Sequence, residues 1–184
     1  TMFLIVMGGL GFPVWHDIFV TAKKGAGEKG ARRRIFTRLG LQSKIVLIMT
    51  AVLILGGTLG YFLLEFSNPE TMADLSVPEK VLASAFQSVT TRTAGFASVS
   101  QSGLTEGSRL LDCILMFIGG SPAGTAGGIK TTTFALVALT VISVLRGHKD
   151  TECFGRRLDM ESIRSALTIT VITFTFWLTA VAAM

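Results

Sequence analysis

Two stretches, Ile45 to Leu64 and Ser165 to Met184, run without a charged side chain for about 20 residues each, the length that crosses the hydrocarbon of a bilayer. A soluble chain of this size breaks its apolar runs into short strands or amphipathic helices. With 49% hydrophobic and 16% charged residues and a mean hydropathy of +0.59, lipid is the first solvent to consider. Backbone groups in lipid must be satisfied within the segment, so both stretches are expected to be helices and the fold class all-α membrane protein.

Other classes find little support. Cys113 stands in an apolar segment and Cys153 in a polar one, so no disulfide framework is expected. His16 and His148 have no neighbours at ligand spacing, which leaves no metal centre to propose. No basic segment precedes the apolar residues Met2 to Val6 and no cleavage site follows, so a signal peptide is not expected. The chain starts and stops inside apolar runs and reads as a fragment, with residues 1–20 expected to be the tail of a helix cut from its parent.

Charge orients the segments. Residues 21–44 carry Lys23, Lys24, Lys29, Arg32, Arg33, Arg34, Arg38 and Lys44 against Glu28, which assigns a basic cytoplasmic loop. A nucleic-acid interface would need an adjoining folded reader, and none is visible. Beyond the first span (45–64), Glu65, Glu70, Asp74 and Glu79 face Lys80 alone, so that side is external. Residues 146–164 are nearly balanced in charge; connectivity returns them to the cytoplasm before the last span (165–184).

Between the external loop and the next apolar run lies a shorter helix signal. Ser76 and Glu79 form an S-x-x-E capping box around Pro78, and Val81, Leu82, Ala85, Phe86 and Val89 recur at helical spacing. The helix, expected over 77–91, covers roughly half the bilayer and runs into Arg92-Thr93-Ala94-Gly95-Phe96, where the periodicity stops. Irregular backbone at membrane depth is tolerated where it is buried in protein or lines a watery path, and free carbonyls there can replace the hydration shell of a cation. The same residues also fit an external loop after a short surface helix.

The run 110–145 exceeds one straight span, and glycines at 119, 120, 124, 127 and 128 with Pro122 interrupt its centre. Each glycine opposes a helix interior by about 1 kcal/mol and the proline by about 3. Two half-helices, Leu110 to Ile118 and Thr131 to Leu145, are therefore expected, joined by an intramembrane loop that ends at Lys130. A fixed positive charge on a cation path suggests a gate, in which Lys130 adds an electrostatic barrier; a glycine-rich hinge with a snorkelling lysine fits equally.

Together these features resemble the Trk/Ktr/HKT superfamily of potassium transporters. Gly8-Gly9-Leu10-Gly11-Phe12-Pro13-Val14-Trp15 looks like the end of the second repeat's last helix. Phe86 to Phe96 looks like the third pore helix and filter, and Gly119 to Thr133, ending Gly-Gly-Ile-Lys-Thr-Thr-Thr, like the gate loop. The Ser-Pro of that loop and the Thr-Arg-Thr-Ala-Gly-Phe filter are closer to the Ktr type. The resemblance implies a helix/pore-loop/helix repeat of a four-repeat potassium-channel-like pore, complete over 45–145, whose second helix is broken by the gate loop. It further implies a selectivity filter of Thr93, Ala94, Gly95 and Phe96. Carbonyls of Thr93, Ala94 and Gly95 would hold K+, and Phe96 would pack behind. The implied gate comprises Gly119, Gly120, Ser121, Pro122, Ala123, Gly124, Thr125, Ala126, Gly127, Gly128 and Lys130. K+ would be the transported ion, with Na+ as a coupling or activating ion and no cofactor in this chain. Implied partners are the remaining repeats, a second copy in a homodimer, and a cytosolic nucleotide-binding ring of the KtrA/TrkA kind, which would meet 23–38 and 146–164. The implied location is the cell membrane, crossed several times.

Two rivals come from other classes. Gly124-Thr125-Ala126-Gly127-Gly128-Ile129-Lys130-Thr131 approaches a phosphate-binding G-x-x-x-x-G-K-[ST] loop, but Ile129 stands where the glycine before the lysine is needed. The other is a non-conducting structural subunit; Gly56 and Gly60 fit close helix packing in either case, but a scaffold has no use for two irregular intramembrane segments. No catalytic constellation is apparent, so an enzyme is not expected.

Overall fold

The computed structural model describes residues 1–25, 36–92, 94–147 and 151–182. Thr93 of the expected filter, the middle of the basic loop and residues 148–150 lie outside them. The apolar run without caps or breakers gives one long helix, here α3, Leu41–Glu65, around which the others assemble. Preceding it are α1 (Met2–Leu10) and α2 (Phe12–Gly25), which meet at 89°. The single helical tail expected over 1–20 is therefore two helices. Gly11 takes φ +78°, and Pro13 has no N–H to offer the previous turn, so the first helix cannot continue through them.

After the turn that follows α3, α4 (Val77–Thr90) runs back along the C-terminal half of α3. Its start is fixed at the end of that helix, where Lys80 Nζ donates to Phe66 O at 2.7 Å. Its end lies beside the middle, where Ser88 Oγ donates to Ile54 O at 3.0 Å. The helix thus descends about half the length of α3. Next come α5 (Glu106–Phe117) and α6 (Thr131–Leu145), both packed on α3. Leu111 of α5 faces Gly60 in the C-terminal half of α3, whereas Ala135 of α6 clusters with Ile45 near its start. A short hairpin, β1 (Glu152–Cys153) with β2 (Arg156–Arg157), leads to α7 (Met160–Ala182). The last helix begins earlier than expected, taking in Glu161 and Arg164 ahead of the charge-free run. Among the described residues, two helices, Leu41–Glu65 and the stretch Met160–Thr179, are long and apolar enough to cross a membrane, or three if the bent pair α1–α2 is one span.

Polarity is arranged inside out. Glu65, Ser84, Gln87, Ser88, Ser108, Ser121 and Thr131 are fully buried, while Val52, Leu55, Leu59, Leu63, Val171 and Phe176 are exposed. Of the apolar residues at helical spacing in α4, Val81 and Leu82 are exposed, Ala85 and Phe86 half-buried and Val89 buried, whereas Ser84, Gln87 and Ser88 are fully buried, Ser88 against α3 and Gln87 against Asp112 of α5. The close-packing glycines also differ from the expected pair: Gly56 faces open space, whereas a Cβ on Gly57 would lie 2.3 Å from Ser88 Oγ and one on Gly60 2.7 Å from Leu111. Gly57, not Gly56, shares the face on which α4 and α5 approach. A buried carboxylate closes the C-terminal end of α3. Glu65 accepts from Asn68 Nδ2 at 2.6 Å, Thr71 Oγ1 at 2.5 Å, and Thr105 N and Oγ1 at 2.9 and 2.8 Å, tying the end of α3 to the start of α5.

Candidate ion-pathway site

The descent of α4 begins at a capping box: Ser76 N–H and Oγ donate to Glu79 Oε2 at 2.9 and 2.7 Å. Those bonds hold the Glu79 carboxyl below its ordinary range. At the other end, Thr90 stitches the irregular turn shut. Its Oγ1 accepts from Phe96 N at 2.8 Å and donates to Phe96 O at 2.7 Å. Its carbonyl accepts from Ala94 N at 3.0 Å and Gly95 N at 3.2 Å. Gly95 takes φ +75°, a region costly for residues with a Cβ. The N–H groups of the turn are thereby consumed inward. Among the described residues, the Ala94 and Gly95 carbonyls accept no hydrogen bond.

Phe96 does not pack behind the turn as expected. Its side chain is 56% exposed, although its backbone is held to Thr90 at the end of α4. With Ala94, Gly95, Gln87, Gln101 and Asp112 it lines a cavity of about 420 Å³. Asp112, an acid within an otherwise apolar stretch of α5, accepts from the buried Tyr61 hydroxyl and from Gln87 Nε2 at 3.5 Å. Its position inside that stretch was the signal that could have flagged it.

The loop between α5 and α6 is ordered by its own backbone. Ile118 and Ile129 form a parallel bridge, with Gly119 N donating to Ile129 O, Ile129 N to Phe117 O and Thr131 N to Gly120 O, each at 3.0 Å. Two glycines permit this closure: a Cβ on Gly119 would lie 1.5 Å from Gly127 O, and Gly128 adopts φ +71°. Ala123, also at positive φ, turns the tip, where Gly124 N donates to Ser121 O at 3.1 Å. Lys130, whose charge required a partner, donates through Nζ to Ala126 O at 2.8 Å within its own loop. The two irregular segments meet through Arg92, whose Nη2 donates to Gly119 O at 3.4 Å.

Residues 1–184 match the TrkH family, described as cation transport protein. This chain belongs to the TrkH family. Among TrkH-like relatives, it is 39% identical over 169 residues to the Ktr system potassium uptake protein B of Bacillus subtilis, covering 92% of this chain and 35% of that protein. Its identity to the Ktr system potassium uptake protein B of Vibrio alginolyticus is 37%, with the same coverage. It is 33% identical over 178 residues to the potassium/sodium uptake protein NtpJ of Enterococcus hirae, covering 97% of this chain and 37% of that protein. The chain therefore spans about a third of the length of these relatives. The family and these relatives together support a Trk/Ktr-superfamily chain similar to the KtrB type, and its apolar helices point to a membrane protein.

Proposed function

We propose that this chain is part of the ion-translocating subunit of a potassium uptake system in the cell membrane, comprising the end of one pore repeat, a complete repeat and the start of the next. The turn after α4 is its share of the selectivity filter, with Thr93, Ala94 and Gly95 presenting carbonyls to K+. The loop 119–130 is its gate. The observation that carries this reading is the pairing of two irregular backbone segments beside the middle of α3, joined by the Arg92–Gly119 hydrogen bond. The inward use of the turn's N–H groups supports it further, since the remaining carbonyls are available to a cation.

The relatives' names favour K+ as cargo, and the potassium/sodium name of one is consistent with Na+ as a second transported ion; a coupling or activating role for Na+ is part of the proposal. The remaining repeats, a second subunit and a cytosolic nucleotide-binding ring are the partners, the basic stretch 21–44 facing the cytoplasm. The phosphate-loop alternative needs a strand before its glycines, but helix α5 stands there, and Lys130 is engaged with Ala126. In a bacterium lacking its own potassium uptake, the full-length subunit carrying this segment is expected to restore growth at low K+, and Gly95→Asp to abolish it at normal membrane abundance. Equal uptake by both removes Gly95 from the ion path.

A further inference from the structure

The glycine-rich loop makes a second set of contacts, with the corner between α1 and α2. Within α1, the Gly9 carbonyl would ordinarily accept from the residue four positions on, but that residue is Pro13, which has no N–H. The released carbonyl instead accepts from Ser121 N at 3.0 Å. Around this bond the two backbones approach too closely for side chains. A Cβ on Gly11 would lie 2.5 Å from Pro122 O, and one on Gly124 would lie 3.1 Å from Gly9 O and 3.2 Å from Gly8 O. The two helices meet at this corner at 89°. Gly11, at φ +78°, both creates that bend and leaves room for Pro122.

We infer that the Gly8–Pro13 corner is the seat of the 118–130 loop, so that the position of the preceding helix pair sets whether the loop obstructs the ion path. This rests on the gate reading above. Gly9 and Gly11 act as positioning residues: neither touches the ion, and both act through the loop. Their effect should therefore appear in resting flux and leave the K+ over Na+ preference of the filter intact.

Three variants of the full-length subunit, reconstituted in vesicles and assayed for K+ flux, test this. Gly8→Cys with Thr125→Cys, in a background of Cys113→Ser and Cys153→Ala, places two thiols across the seat, since a Cβ on Gly8 lies 3.3 Å from Thr125 Oγ1. Oxidation is expected to join them and lower flux by about tenfold or more, with recovery on reduction. Gly11→Ala is expected to raise resting flux about five- to tenfold through loss of the seating hydrogen bond and fit. Deletion of Ala123 to Gly128 tests the gate itself. If the deletion raises flux while the thiols fail to join, or join without changing flux, or Gly11→Ala matches the parent, the seat is wrong and the gate stands. If the deletion leaves flux unchanged, the gate reading fails and the seat with it.

Discussion

Replacing Gly119 by alanine tests how the loop is closed. The added Cβ would sit 1.5 Å from Gly127 O, whereas ordinary van der Waals contact begins at 3.4 Å, and the obstacle is backbone. No side-chain rotation relieves it, so the 127–129 segment must move away by about 2 Å, the difference between those distances. Such a shift breaks the three backbone bonds of the bridge, from Gly119, Ile129 and Thr131, all at 3.0 Å. At about 1 kcal/mol each they amount to about 3 kcal/mol, or a change of about a hundredfold in the population of the closed loop. Rubidium influx into vesicles containing the full-length subunit is expected to rise in Gly119→Ala, approaching that of the Ala123 to Gly128 deletion. Gly56→Ala provides the control, because that Cβ meets nothing and the substitution favours the helix. Influx and thermal stability in Gly119→Ala equal to those of Gly56→Ala would refute the reasoning.

Other substitutions probe the frame. Glu65→Ala removes the acceptor shared by Asn68, Thr71 and Thr105, and is expected to cost about 3 kcal/mol or more, read as a lower Tm in detergent; Glu65→Gln should lose less. Gly57→Val drives a side chain into Ser88 Oγ and should cost about 1–3 kcal/mol, whereas valine at Gly56, which meets no neighbour and forms helix better than glycine, should cost nothing. The Glu79 carboxyl is held below its ordinary value of 4.5, so its contribution to the start of α4 is present above that pH and lost as pH falls through the lowered value. The protection of first-turn α4 amides, measured relative to their intrinsic exchange rates, should accordingly lose its pH dependence over that range in Glu79→Gln.

Periodicity and capping were readable wherever they depend on the chain's own neighbours. Thr131–Leu145 has the expected bounds, α4 starts at the expected box, and α3 differs from its charge-free run only at the ends. What depends on neighbours across the fold was less legible. The apolar stripe of α4 was visible, but in a membrane protein such a stripe can face outward, as Val81 and Leu82 do, and the polar residues Ser84, Gln87 and Ser88 are buried along with Val89. Gly56 and Gly57 are indistinguishable by composition; only the paths of α4 and α5 select the second. The corner at Gly11 was available in principle from Gly11 with Pro13, a pair that ends a helix and releases the Gly9 carbonyl. The Gly8 to Trp15 phrase instead reads as one helix when taken as an apolar run. Arg92 carried no local signal for its bond to Gly119, which is separated from it by 27 residues.

The central claim is that the backbone at Gly95 lies against the transported ion, and relative K+ and Na+ uptake by full-length Gly95→Ser tests it most directly. A Cβ there meets no neighbour, so packing should survive; the strain comes from φ +75°, at about 1–2 kcal/mol, and falls on the turn whose carbonyls would face the ion. The account predicts weakened preference for K+ over Na+ at normal membrane abundance, with Gly95→Asn, which tolerates that backbone better, lying between serine and the parent. An unchanged K+ to Na+ ratio and unchanged rate in Gly95→Ser would contradict it.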